Sequence, residues 1–401
     1  MVMGVGGAGC NAINRMIDEN VSDVEFVAVN TDKQDLDNNK ATNTLQIGEK
    51  LTNGLGAGAK PEIGEKSAEE SIEEINSTIK GVDMLFITAG MGGGTGTGAA
   101  PIIAEAAKEL GVLVVGVVTK PFGFEMRKRM LTAEEGIAQL KKNVDALLIV
   151  ENQKLLEMDN GLKIKIVDAY KKVDEVLRQA VQGVTDLITK EGFINLDFAD
   201  IKTILKAPEN GTATIAIMGM GEGEGEGRAR KAAEQAINSP LMTLDLSGAK
   251  GMLLNVTTGP EITLGEMTEA ADIIQTTADA DAQVIWGHVI DESLGDKVHV
   301  TLIATFPEGA AQAAAGRRVA AKPEPPKQPQ PQPVRETARQ PQAPQSRTGS
   351  RTLFDVYKQK KYAQGEFEET RLTSPEDERS TFPDSLRRTY DQPSLYRRTR
   401  N

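Results

Sequence analysis

A chain of 401 residues with a formal net charge of −12, 39% hydrophobic residues and one cysteine is long enough for two domains around buried cores, and it cannot form an internal disulfide. Two histidines without a cysteine cluster leave no zinc-type ligand set. The acidic balance argues against general binding to nucleic acid, and no apolar run nears the roughly twenty residues of a membrane span. Met1-Val2-Met3 has neither the basic nor the apolar region of a signal peptide, so a soluble, cytoplasmic protein without direct membrane insertion is expected.

In chain order, β-rich apolar runs predict strands at Val2–Val5, Val24–Asn30, Thr44–Ile47, Asp83–Ala89, Leu113–Thr119 and Ala146–Val150, with helices starting near Ala12, Ala99 and Arg127. Only three residues precede Gly4, so the first strand is expected to be short or truncated. Strands alternating with helices give an α/β class with a Rossmann-like, mostly parallel sheet over residues 1–162. Ile166, Tyr170, Val173, Leu177, Ala180, Val184 and Leu187 then recur at three-four spacing, with a second apolar edge at Val167, Val176, Val181 and Ile188. That pattern predicts a long central helix over 163–191, buried on two sides between the domains.

Strands at Thr214–Met218, Met252–Thr257, Val284–Val289 and Val298–Phe306 predict a smaller α+β domain over 192–306. Within it, the glycine–glutamate alternation of Gly221–Gly227 reads as a mobile turn, and His288, His299 and Trp286 read as structural. From Pro307 onward lie 12 of the 18 prolines, and 18 Lys/Arg stand against 12 Asp/Glu, so an acidic body carries a basic tail. Such a composition cannot offset its ordering entropy, which predicts a disordered linker over 307–386. Residues 387–401 regain an apolar pair among basic residues in Asp391-Gln-Pro-Ser-Leu-Tyr-Arg-Arg398, suiting a peptide that folds on a partner.

Two glycine segments carry the chemistry. Gly4-Val-Gly-Gly-Ala-Gly-Cys-Asn11 follows a strand and matches the dinucleotide fingerprint, with Asn30-Thr-Asp32 where a Rossmann enzyme places its ribose acid. Alone it fits either a dehydrogenase or a tight structural turn. Gly90-Met-Gly-Gly-Gly-Thr-Gly-Thr-Gly98 supplies unobstructed backbone N–H groups and two hydroxyls ahead of a helix, a cradle for phosphate. Two such loops suit a triphosphate, and the Walker ending is absent, since Gly56-Ala-Gly-Ala-Lys60 lacks the Gly-Lys-Ser/Thr terminus. Asn195, Asp197 and Asp200 are candidates for polarising an attacking water, with helix capping as the plain alternative. Glu125 and Arg129, four apart, suit a sugar or phosphate contact or an exposed ion pair.

Taken in order from Met1 to Phe306, these segments resemble the tubulin/FtsZ family of polymerising GTPases, in particular its bacterial division members. Gly90–Gly98 resembles the family signature and Asn195–Asp200 its synergy loop, while Ala28-Val-Asn-Thr-Asp32, Gly54-Leu-Gly-Ala-Gly58, Thr119-Lys-Pro-Phe122 and Asn152-Gln-Lys-Leu-Leu156 stand in the same order. The resemblance implies GTP with Mg²⁺. Gly6, Gly7, Ala8, Gly9, Cys10 and Asn11 would lie near phosphates and base, with Gly92, Gly93, Gly94, Thr95, Gly96 and Thr97 on the phosphates. Glu125 and Arg129 would lie near the ribose, and Asn152, Tyr170 and Asp174 on guanine. Tyr170 and Asp174 are four apart on one helix, so one can stack while the other accepts.

By the same resemblance, Asn195, Asp197 and Asp200 act in trans on the GTP of the next subunit of a homopolymer filament. The terminal peptide then meets membrane anchors and division regulators at a mid-cell ring. A paralogue for cell shape or organelle division, or a non-hydrolysing scaffold, are the alternatives. The chain departs from the family pattern at Met126, where glycine is usual, at Tyr170, where phenylalanine is common, and in the run Lys206–Gly211.

Overall fold

Valine- and isoleucine-rich strands joined by helical returns bury both faces only in a parallel sheet covered on both sides. The computed structural model describes residues 1–158, 164–190, 197–206, 213–279 and 281–307. The strands are β1 (Val2–Val5), β2 (Phe26–Asn30), β3 (Asn43–Gln46), β4 (Met84–Gly90), β5 (Leu113–Lys120), β6 (Ala146–Glu151), β7 (Thr214–Glu224), β8 (Gly251–Thr258), β9 (Gln283–Ile290) and β10 (Lys297–Phe306). They form one ten-stranded sheet in the order β3-β2-β1-β4-β5-β6-β7-β10-β8-β9. From β3 to β7 every neighbouring pair is parallel. The second set of strands continues the same sheet through a short pairing, Ala146 to Thr214 through Leu148 to Ala216. Beyond it β10 runs antiparallel to both β7 and β8. The strand order reverses direction at β1 and β4, the place where an open α/β sheet leaves a crevice outside its strand ends.

Two helices begin earlier than the sequence suggests. Gly6–Asp18 and Thr95–Glu109 start inside the glycine segments, so Gly6, Gly7, Gly9, Gly96 and Gly98 lie in the first helical turns, while Gly92–Gly94 form a loop ahead of the second helix. Gly6 turns the chain at φ +72°, and a Cβ there would lie 2.8 Å from the Gly96 nitrogen. Absence of side chains brings the two helix starts against each other.

The central helix, Ile166–Thr189, buries Val173, Val176, Leu177, Ala180, Val181, Val184 and Leu187. Its first turn departs from the predicted pattern: Ile166 and Val167 are exposed, because this end runs past the edge of the core.

The Gly221–Gly227 stretch is also different from its sequence reading. Gly221 through Glu224 continue β7 and pair with β10 from Val300 to Lys297, and only residues 225–227 turn. The glycines serve packing: a Cβ at Gly219, Gly221 or Gly223 would lie 2.0, 2.0 and 1.9 Å from the carbonyl oxygens of Ala236, Ala232 and Arg228. Two strand residues advance about 6.6 Å and one helical turn of four residues about 6 Å, so alternate glycines meet successive turns of the helix Arg228–Ile237. The intervening Glu222 faces away and pairs with Lys297 at 2.6 Å and with His299 at 3.7 Å. His288 is buried on β9, its Nε2 hydrogen-bonded to Thr258 Oγ1 at 2.8 Å, and burial pushes its pKa down, favouring the neutral ring.

This contact sets an expectation. Gly221→Ala should destabilise the protein by about 2 kcal/mol or more through overpacking, while Glu222→Ala costs under about 1 kcal/mol. Urea midpoints of the two variants check it; equal small shifts would show that the helix does not rest on the strand.

Candidate functional site

At the β1/β4 crevice the two early-starting helices point their first turns at the same space. Among the described residues neither has a side-chain N-cap, and neither carries an acid in its first turn. The first N–H groups of both are therefore free to donate, and the positive ends of both dipoles converge. Thr97 Oγ1 accepts from the Gly92 N–H at 2.9 Å and closes the second loop, and Thr95 Oγ1 lies 2.6 Å from Thr31 Oγ1, tying in the chain after β2. Gly94 is pressed against Ala57, whereas Gly93 has open space beside its Cα. Gly7, Ala8 and Asn11 are exposed at the crevice mouth. Cys10 contributes backbone only: its side chain is buried, and burial pushes the thiol up to about 12.

Beside this cradle lies a cleft of about 170 Å³ lined by Ala8, Asn11, Gly90, Met91, Thr119, Pro121, Glu125, Arg129, Asn152, Tyr170, Val173, Asp174 and Leu177. It gathers seven of the residues singled out from the sequence. Met91, Val173 and Leu177 were not singled out as site residues. Apolar residues read as core, yet Val173 and Leu177 share the face of Tyr170 and Asp174 at three-four spacing, and that was the available signal.

Glu125 is held from two sides, accepting from the Phe122 N–H at 2.9 Å and pairing with Arg129 Nη1 at 3.0 Å. Its side chain is 7% exposed, so this is no free surface ion pair. Phe122 meets the Tyr170 ring edge-on at 5.3 Å. Burial first, then the Glu125 carboxylate, raise the Tyr170 hydroxyl above its ordinary pKa, with Arg129 opposing. Asp174 is pushed up to about 6 by burial, with the Arg15 guanidinium opposing.

Asn152 is 4% exposed, and among the described residues its Oδ1 has no hydrogen-bond partner. A buried acceptor without a donor costs about 1–3 kcal/mol, so the cleft favours a ligand that donates there. Asn152 and Asp174 together offer two acceptors to a planar ring that the Tyr170 and Val173 side can cover. Guanine, with donors at both N1 and N2, satisfies them, whereas the adenine edge offers a donor beside an acceptor. The orphaned acceptor and the uncapped helix starts fit a guanine nucleotide.

The candidate acids lie elsewhere. Asp197 and Asp200 are exposed at the start of the helix Phe198–Leu205 and do not line the cleft. Asp197 occupies the N-cap position without a side-chain cap bond, so the capping role is not taken up. Asn195, like Ala207–Gly211 of the unusual run, falls outside the described residues. Among the described residues no group of three or more His, Cys, Asp or Glu gathers to hold a metal. Met126, where the family pattern has glycine, has φ 76° and ψ 155°, a conformation nearly restricted to glycine and costing about 1–3 kcal/mol for other residues. It stands between Glu125 and the helix Arg127–Asn143 that carries Arg129.

Residues 1–160 match the GTPase domain of the Tubulin/FtsZ family, and residues 214–306 match the C-terminal domain of the FtsZ family. An FtsZ from M. jannaschii, solved as an empty dimer, is 45% identical, superposes with a TM-score of 0.73, and matches over 77% of this chain and 88% of its own. Two proteins of Haloferax volcanii share the fold at 21% identity. CetZ1, a GDP-bound monomer, has a TM-score of 0.66 over 80% of this chain and 99% of its own. CetZ2, a GTPγS-bound protofilament, has a TM-score of 0.63 over 80% and 97%.

The buried Asp174 makes stability pH-dependent with a definite sign. Below about pH 4 the carboxyl is neutral in both folded and unfolded chains; between about 4 and about 6 only the folded state keeps the proton, so stability falls as pH rises. Asp174→Asn should therefore match the wild type near pH 4 and melt at a higher temperature at pH 7. Melting curves that stay parallel across pH 4–7 would mean that Asp174 ionises without cost.

Proposed function

The chain belongs to the Tubulin/FtsZ family, and from that premise we propose that it is a GTPase that polymerises head-to-tail and completes its active site between subunits. One observation carries the proposal: among the described residues the acids lining the cleft are Glu125, tied to Arg129 and the Phe122 N–H, and Asp174, buried on the central helix, while Asp197 and Asp200 stand exposed on another element. Acids that one copy cannot bring to its own nucleotide serve a neighbour's. Such a contact is heterologous and does not close, so it generates an open filament and ties hydrolysis to assembly.

GTP is the donor of the γ-phosphoryl group, and Mg²⁺ arriving with it would offset the phosphate charge. The uncapped first turns at Gly6 and Thr95 donate N–H groups to the phosphates and hold the charge that grows during transfer. Thr97 keeps the Gly92 loop in shape. Glu125 and Arg129 flank the sugar, Asn152 and Asp174 accept from guanine, and Tyr170 covers it. Asp197 and Asp200, with Asn195, orient and polarise the water.

A division role at a cytoplasmic mid-cell ring is the reading supported by the match to the FtsZ C-terminal domain and by the 45% identity to an FtsZ. Among the described residues no helix is long and apolar enough to cross a membrane, and the peptide from Asp391 is the proposed link to membrane anchors and division regulators.

Turnover per molecule should rise above a threshold protein concentration. Asp200→Ala should bind GTP within about twofold of the wild type and lose at least about a hundredfold in turnover. A per-molecule rate independent of concentration would mean a self-contained site. Removing Asp391–Asn401 should leave GTP hydrolysis unchanged and abolish co-sedimentation with a membrane-anchor protein; retained co-sedimentation would move the anchor site elsewhere.

A further inference from the structure

The helix Gly6–Asp18 reaches the cleft with its first turns, where Ala8 and Asn11 form part of the lining, and one turn beyond Asn11 stands Arg15. Residues four apart share a helix face, so the stripe Asn11, Arg15 and Glu19 runs from the cleft to the far end of that helix. The central helix packs alongside with Tyr170 and Asp174 in the cleft wall and Glu175 next in sequence. Arg15 bridges the two helices. Its Nη2 pairs with Glu19 Oε1 at 3.0 Å on its own helix, and its Nε faces Glu175 Oε2 at 3.5 Å on the other.

Neither contact accounts for an arginine at this place. The pair with Glu19 is largely exposed, and such pairs contribute under about 1 kcal/mol. Glu175 is already held, because Arg178 donates to both of its oxygens, from Nε to Oε2 at 3.0 Å and from Nη2 to Oε1. Arg15 Nε is buried and makes no hydrogen bond among the described residues. A cation placed so has to serve a charge nearby, and the carboxylate that burial disfavours is Asp174, with Arg15 as the opposing cation. The other charges around Asp174 are engaged elsewhere. Across the cleft Glu125 pairs with Arg129 at 3.0 Å, on its own helix Glu175 pairs with Arg178, and Lys171, one turn earlier, is exposed.

We propose that Arg15 is a positioning residue for base recognition: from behind the cleft wall it keeps the Asp174 carboxylate ionised, so that acceptor oxygens meet guanine N1 and N2 where a neutral acid would turn a hydroxyl toward one of them. The inference rests on the reading that the cleft takes guanine. Burial pushes Asp174 up to about 6 even with Arg15 opposing it, so loss of Arg15 moves its ionisation closer to neutral pH. Base preference is then present above that pH and lost below it.

The test compares GTP with inosine triphosphate, which carries the same phosphates and lacks only the 2-amino donor, so phosphate titration cancels from the ratio of the two dissociation constants. Below the assembly threshold, the full wild-type chain should keep a constant preference for GTP above about pH 7 and lose it below about pH 6. With Arg15→Gln the loss should set in about half a pH unit or more higher, while the preference at about pH 8.5 stays within about twofold of the wild type. Arg15→Lys should restore the wild-type profile, and Arg15→Gln added to Asp174→Asn should move the profile no further. A preference lowered by one factor at every pH, or a profile that does not move, would overturn the proposal and leave Arg15 a residue of helix packing. Melting without nucleotide gives a second readout: at pH 7 Asp174→Asn should raise the melting temperature more in the Arg15→Gln background than in the wild type. Equal gains would also overturn it. If the wild type shows no preference for GTP at any pH while the gains differ, the guanine reading fails and the hold of Arg15 on the Asp174 charge stands.

Discussion

Two helix N-termini that meet without caps govern this molecule. Each carries roughly half a positive charge in its unsatisfied N–H groups, and their convergence at β1 and β4 is unfavourable until an anion lies between them. The far ends of the same helices are complemented, by Arg15 in one last turn and Lys108 in the other, so the uncompensated charge is confined to the crevice. The glycines follow from this arrangement. Gly6 and Gly96 lie so close that a side chain on Gly6 would displace a helix start, and a Cβ at Gly9 would meet the Thr88 carbonyl at 2.4 Å. Glycine density here sets helix placement first and gives a ligand room second.

The central helix serves the cleft and the core at once. Tyr170, Val173, Asp174 and Leu177 on one face wall the cleft, while Val176, Ala180, Val181 and Val184 bury themselves in the core. With 24 residues at about 1.5 Å each it is a rod of roughly 36 Å, with the cleft wall at its N-terminal end. Asn255 anchors its middle by donating to the Gly183 carbonyl at 3.2 Å, and Gly183 lets Thr301 of β10 approach closely. Both contacts come from the β10 and β8 end of the sheet, which therefore grips the middle of the rod.

Much of this was legible in the sequence where a pattern was long and had one physical meaning. The strands and the central helix emerged from apolar period alone, and the glycine segments pointed to phosphate. Three features were hidden because one residue type serves two ends. Glycine reads as loop, so the helix starts at Gly6 and Thr95 were placed late. Alternating glycine and glutamate reads as a mobile turn, yet in β7 the glycines face helix carbonyls and Glu222 faces Lys297. Apolar residues read as core, so Val173 and Leu177 were not counted toward the cleft, and the exposure of Ile166 and Val167 was missed. Asn152 entered only through the family resemblance, since one asparagine at a strand end carries no signal until its Oδ1 is seen buried without a donor. Met126 shows the converse: a departure from glycine, visible in the sequence, falls at a backbone conformation that glycine alone adopts freely.

Keeping Asp197 and Asp200 away from the phosphate cradle has an energetic reason. Two unit charges 4 Å apart at an effective dielectric near 20 interact by about 4 kcal/mol, and a triphosphate multiplies the repulsion felt by a carboxylate. An acid built in beside the phosphates would weaken nucleotide binding by that order before any chemistry began. Asp197 and Asp200 on a separate helix keep their charge away from the two uncapped helix starts. In the proposed filament, the repulsion arises only when a neighbour delivers the acids, and surface buried at that contact offsets it. Hydrolysis is then delayed until binding and assembly are both complete, and the ordering follows from where the charges sit.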